Sequence, residues 1–335
     1  MTKMRQSGFE LLRIVAMLLI VATHANTLSL GWMTGDDIAA APGASLARMI
    51  IESMTMVSVT AFIIISGWFG IKPTWKKFGA FIFQCWFFAI GLFIAGLFVK
   101  GMSDGLSPAG GLQAALLLSD YWFIIAYLFL FLMAPVLNSF VDNSTGKQLG
   151  TVIILFFVFE FLFGWVNDSA VFVYGHTPIT FIGPYLLGKY MRKYEPAFTK
   201  LNKLTDLCIF LTLSLLNAVI AMIAVRKGVL AIRFFSDTTP LIVLSAVFFF
   251  LFFSKLSFSS KAVNYIAQSV FAVYLLHCNG HILPLFKKTC LSLYLGNGTA
   301  AYAWKICAFI LAVFFSAVII DQIRKFIWEK AEKYF

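Results

Sequence analysis

Polar stretches long enough to fold on their own are missing from this chain. Outside its apolar runs the longest segments lie around 31–46 and 287–299, far short of an independent soluble domain. Charge is scarce as well: 12% of the 335 residues are Asp, Glu, Lys or Arg, against 61% hydrophobic and 17% aromatic. That balance holds more apolar surface than one aqueous core can cover. The five cysteines, Cys85, Cys208, Cys278, Cys290 and Cys307, include no CxxC spacing, which argues against redox and zinc-ribbon motifs and leaves them as small buried hydrophobes. Internal repeats, low-complexity tracts and basic stripes with interleaved aromatics are also absent, so the net charge of +11 does not point to nucleic acid.

What is present is long apolar runs. Ten segments, near 9–30, 47–71, 76–99, 120–141, 148–165, 178–193, 204–225, 234–254, 263–286 and 300–321, predict an all-α, polytopic membrane bundle of about ten helices in a single domain over 1–335, most segments being able to cross about 30 Å of hydrocarbon. The sixth is short and interrupted by Pro184, which suits a broken or re-entrant helix. Placing the amino terminus, 72–77, Lys147, 189–203, 255–261 and the tail after Asp321 in the cytoplasm collects 18 basic residues against 8 elsewhere, so both termini are expected there. The positive charge then reflects topology and anionic lipid. The first apolar run carries Glu10 and Arg13 and no small-residue cleavage site, and reads as a retained helix instead of a secretory signal.

Arg13 and His24 are eleven positions apart on that first helix. Eleven steps of roughly 100° and about 1.5 Å return to nearly the same face about 16 Å further along. One face thus carries a cation at the membrane edge and an imidazole deep in the bilayer, where ionisable groups are costly and mark functional sites. Glu10 and Arg13 have two readings: an i,i+3 ion pair at the interface, or a guanidinium fork positioned to grip phosphate. His24 is either a hydrogen-bonded interior residue or a general base for a hydroxyl, with Thr23, Asn26 and Thr27 suggesting a wet pocket. Glu52, on the returning second helix, is expected at a similar depth, where a carboxylate can orient the imidazole. Ser66 and Gly67 fall at the depth of Arg13, and Gly67 reads first as a site of close helix approach.

Four further positions stand out. His277 and His281 are spaced i,i+4 on the ninth segment, a spacing that can hold a metal, but no third ligand follows and no metal site is expected. His277 reads as a pocket-lining hydrogen-bonding group. Tyr121 and Trp122, at the mouth of the fourth helix, suit either an interfacial anchor or a substrate contact. Glu160 is surrounded by aromatics and must be neutral or paired, and its role stays open.

These motifs resemble those of the acyltransferase family 3 membrane proteins, which acylate sugars and glycans. The similarity lies in Glu10-Leu-Leu-Arg13 with His24 eleven residues on, Ser66-Gly67-Trp68, Tyr121-Trp122-Phe123 followed by Tyr127, Pro135 and Asn138, Tyr185-Leu-Leu-Gly188, and Tyr274-Leu-Leu-His277. The resemblance implies a ten-helix bundle in an inner or plasma membrane. There acyl-CoA, most simply acetyl-CoA, enters from the cytoplasm as a donor substrate, and a hydroxyl of a polysaccharide or lipid-linked glycan is acylated on the other side. It implies His24 as catalytic and Arg13 on the donor path, with no bound cofactor. Glu52 as a second catalytic residue comes from depth alone; Glu10, Ser66, Tyr121, Trp122 and His277 complete the candidate binding set. The fused extracytoplasmic esterase-like domain of some relatives is not expected, and a homo-oligomer or an envelope-biosynthesis complex is left open.

Two rival classes fit part of the pattern. Ten spans, a broken sixth segment and several intramembrane ionisable groups also suit a secondary transporter or glycan flippase, against which stands the lack of an inverted repeat. A membrane scaffold needs neither Arg13 nor His24.

Overall fold

The computed structural model describes residues 6–98, 108–117 and 121–331. All regular elements among the described residues are helices. Seven are long and apolar enough to cross a membrane: α1 (Ser7–Leu28), α2 (Pro42–Phe69), α3 (Trp75–Phe98), α4 (Trp122–Asn143), α5 (Gly146–Val166), α7 (Lys203–Arg226) and α11 (Thr299–Ala331). Between them lie the shorter α6 (Ile182–Tyr194), α8 (Pro240–Ser254), α9 (Val270–His277) and α10 (Leu283–Leu295).

The sixth segment is broken as Pro184 suggests, and the eighth and ninth depart from single helices for local reasons. The sixth segment opens with a 3-10 turn at Pro178–Phe181 before α6 begins. The eighth starts with irregular chain through Asp237 and becomes helical only at Pro240, whose fixed φ and missing N–H suit a first helical turn. The ninth is cut at His277, beyond which the backbone turns before α10. That turn separates His277 from His281, so the two histidines do not share one helix face as their spacing suggests. The stretch 287–299, expected as a connection, is mostly helical within α10.

The described residues form two compact units, 6–27, 31–72 and 122–264 in one, and 28–30, 73–98, 108–117, 121 and 265–331 in the other. The first unit is built on α1, α2 and α8, whose Phe9, Leu12, Ala16, Ala61, Ile64 and Phe250 share one buried core. α2 and α6 cross with almost no space between them. A Cβ on Gly67 would lie 2.1 Å from the Tyr185 carbonyl oxygen, and one on Gly188 would lie 2.3 Å from that of Ile64. Backbone oxygens cannot swing aside as a side chain can. Gly67→Ala and Gly188→Ala are therefore each expected to cost about 1–3 kcal/mol or more and to lower the melting temperature in detergent, whereas Gly91→Ala, with nothing within 4 Å, leaves it unchanged or raised.

Two π-helical turns interrupt the regular ladder of this unit, at His24–Leu28 and Phe161–Val166. Such turns leave carbonyls poorly paired, and in each case an arginine takes them up. Arg48 Nη2 donates to the Asn26 and Gly31 carbonyls at 3.1 and 2.9 Å, while Arg233 Nη1 donates to those of Trp165 and Val166 at 3.2 and 3.1 Å. The second unit holds a buried ion pair, Arg324 bidentate on Asp321 at 2.8 Å for each bond, with Gln84 Nε2 also donating to Asp321 at 3.2 Å.

Candidate active site

α1 stays α-helical from Ser7 to Thr23, so the register between Arg13 and His24 is kept and the two residues sit about 16 Å apart along one helix. His24 is half-buried and opens the first π-helical turn. Glu52, 2% exposed on α2, reaches that same turn: its Oε2 accepts from Asn26 Nδ2 at 2.7 Å. Asn26 Oδ1 in turn accepts from Arg48 Nε at 2.9 Å. Glu52, Asn26 and Arg48 thus form a polar chain beside His24, with Glu52 Oε1 buried and making no hydrogen bond. Arg48, one turn before Glu52 on α2, is signalled in the sequence only by that i,i+4 step.

At the other end of α1, Arg13 Nη1 donates to both Glu10 oxygens, at 3.0 and 2.9 Å, so the ion pair is made. The guanidinium also lies 6.0 Å from the centre of the Phe69 ring. Ser66 Oγ donates to the Phe62 carbonyl at 2.9 Å and is hydrogen-bonded with Tyr127, which is within electrostatic reach of Arg13. The chain leaving α2 is clamped just beyond. Tyr185 Oη accepts from the Ile71 N–H at 3.1 Å and donates to Asn138 Oδ1 at 2.8 Å, while Asn138 Nδ2 donates to the Ile71 carbonyl at 2.9 Å. Tyr127, Asn138, Tyr185 and Gly188, scattered in sequence, thus all serve the geometry around residues 64–71.

Trp122 lies face to ring with His176 at 4.4 Å, flanked by Phe181 at 6.0 Å. His176 is exposed and carries no sequence signal. Tyr121 is 1% exposed, which corrects the interfacial-anchor reading; its Oη donates to the Leu275 carbonyl at 2.7 Å and accepts from Asn279 Nδ2 at 2.9 Å. His277 is fully buried, with Nδ1 2.5 Å from the Val273 carbonyl and Nε2 3.4 Å from Cys278 Sγ. Glu160 is buried, its Oε1 makes no hydrogen bond, and Asp237 lies within electrostatic reach.

Chemically, this arrangement offers an imidazole at His24 with polar neighbours and a cation some 16 Å away along the same helix. A family model described as an acyltransferase domain, of the acyltransferase 3 type, matches residues 6–321, nearly the whole chain. No curated protein and no solved structure matches the chain significantly.

Proposed function

Because the chain belongs to the acyltransferase 3 family, we propose that it is a membrane O-acyltransferase that moves an acyl group, most simply acetyl, from acyl-CoA to a hydroxyl of a polysaccharide or lipid-linked glycan. The observation that carries this reading is the continuous α-helix between Arg13 and His24, which keeps a guanidinium and an imidazole on one helix about 16 Å apart. A thioester donor has that form: an anionic nucleotide head, a thin arm and a reactive carbonyl.

His24 accepts the proton of the acceptor hydroxyl as its oxygen attacks the thioester carbonyl. The new C–O ester bond forms, the C–S bond breaks, and the CoA sulfur leaves as thiolate and takes up a proton. Glu52, through Asn26 and Arg48, holds the turn on which the imidazole sits, a positioning role. The Trp122–His176 pair offers an apolar face of the kind that sugar rings stack on. Trp122→Ala is expected to raise the acceptor KM several-fold with the donor KM unchanged, measured by varying each substrate in turn. In this reading the chain has ten membrane crossings, both termini face the cytoplasm with Arg13 near that side, and the membrane is an inner or plasma membrane.

Proteoliposomes given acyl-labelled acetyl-CoA and a glycan test the reading against transport. Label joined covalently to glycan and released by mild base supports acyl transfer. Unmodified label or glycan carried across the bilayer without ester formation supports the transporter reading and overturns this one.

A further inference from the structure

Three consecutive residues at the end of α2 each carry a cation. Arg13 lies over the Phe69 ring at 6.0 Å; Arg192 lies over the Trp68 ring at 5.1 Å. Lys189 stands above Gly70, where an added Cβ would lie 2.8 Å from its Nζ. The cations come from two helices, α1 and α6, that are far apart in sequence and that pack on α2. Lys72 stands close enough to Lys189 to add to the local positive field.

Their structural uses do not account for the charge. Glu10 pairs with Arg13 alone. Lys193, one turn from Lys189, is spent on the Val141, Asp142 and Ser144 carbonyls at 2.6, 3.3 and 3.3 Å. Lys189 and Arg192, by contrast, form no hydrogen bond and no ion pair among the described residues; Asp142 lies within electrostatic reach of Lys189 but not in contact. The carboxyl end of α2 contributes only about half a unit of negative charge, too little to balance two cations. Neither is it a dry interior, since Arg192 is exposed and Lys189 half-buried. The Trp68 indole N–H, buried and without a hydrogen-bond partner, is a further donor on the same turn.

Two cations without a carboxylate in contact, Lys189 and Arg192, beside a third that Glu10 pairs on one nitrogen, are placed to receive an anion. We propose that Arg13, Lys189 and Arg192 form a cradle for an adenine nucleotide bearing more than one phosphate. This deepens the donor assignment above and rests on it: the ligand is the phosphorylated head of the acyl-CoA, and α6 supplies two of its three contacts. Lys189 and Arg192 are then binding residues for the same reaction, on a helix whose third basic residue, Lys193, is spent on backbone carbonyls.

Equilibrium binding of adenosine 3′-phosphate 5′-diphosphate to the purified full chain in nanodiscs tests this directly. Wild type is expected to bind, with inorganic pyrophosphate competing and salt weakening the complex. The double variant Lys189→Gln, Arg192→Gln is expected to bind at least about tenfold more weakly, whereas Lys189→Arg retains binding and Lys200→Gln, an exposed cation elsewhere, is unaffected. Melting temperature, read in the same samples, separates loss of the cradle from loss of the fold. No binding by wild type, equal binding by the double variant, or an equal loss in Lys200→Gln overturns the proposal. Binding that depends on Lys189 and Arg192 in a protein that transfers no acyl group would keep the cradle and remove the acyltransferase reading; transfer unaffected by the double variant would do the reverse.

Discussion

Replacing His24 with Ala is expected to lower acyl transfer by about 10²–10⁴-fold, the contribution of a positioned general base, while the protein inserts and melts as wild type does. The reason for the large effect is that the polar chain holding the π-helical turn, Glu52, Asn26 and Arg48, offers no second imidazole. Asn26 is an amide and Arg48 is permanently charged. Glu52 is held by Asn26 at 2.7 Å, with its second oxygen buried. A residual rate belongs to binding and orientation alone. His24→Gln keeps a hydrogen-bonding group of similar length, so an equal loss there marks proton transfer as the missing function. Asn26→Ala, which cuts the link from Glu52 to the turn, is expected to lower kcat while leaving donor KM in place.

The second large effect is expected at Arg13, and its design has to allow for Glu10. Glu10 is 7% exposed and holds Arg13 with both oxygens, so Arg13→Ala alone strands a buried carboxylate and costs stability for reasons unrelated to the donor. The double change Arg13→Gln, Glu10→Gln removes both charges together. A charge-assisted bond to phosphate is worth about 1.5–3 kcal/mol, so donor KM is expected to rise about 10- to 100-fold with kcat held within a few-fold. The penalty should vanish for an acyl-pantetheine donor, which has no phosphate. An equal loss with both donors would place Arg13 in the chemistry or the fold and not at the phosphates.

Much of this arrangement was legible in the sequence, and the pattern of what was not has a physical cause. The eleven-residue step from Arg13 to His24 is a property of one helix, and α1 keeps it because its α-helical ladder runs unbroken to Thr23. Gly67 was likewise readable as a point of close approach, since a glycine in an apolar helix has few other uses. Its partner surface was not readable, because Gly67 meets Tyr185 and Gly188 meets Ile64 across more than a hundred residues of chain. The same holds for Asn138 and Tyr185, which stood out as motif positions without a role until they were found clamping Ile71. His176, a lone histidine in a connecting segment, gave no sequence signal, and Arg48 is signalled only by its i,i+4 step to Glu52. The break in the sixth segment was legible at Pro184, whereas the irregular start of the eighth and the turn that cuts the ninth were not, because hydropathy averages over a window and apolar turns score like helix.

The central claim is that His24 catalyses acyl transfer from a CoA thioester to a glycan. Its most direct test is transfer from radiolabelled acetyl-CoA to glycan in membranes expressing the protein, beside membranes with His24→Ala at matched abundance. The account expects ester-linked label in glycan with the wild type and its loss by at least about 10²-fold with the variant. Equal labelling by both would contradict the assignment of His24.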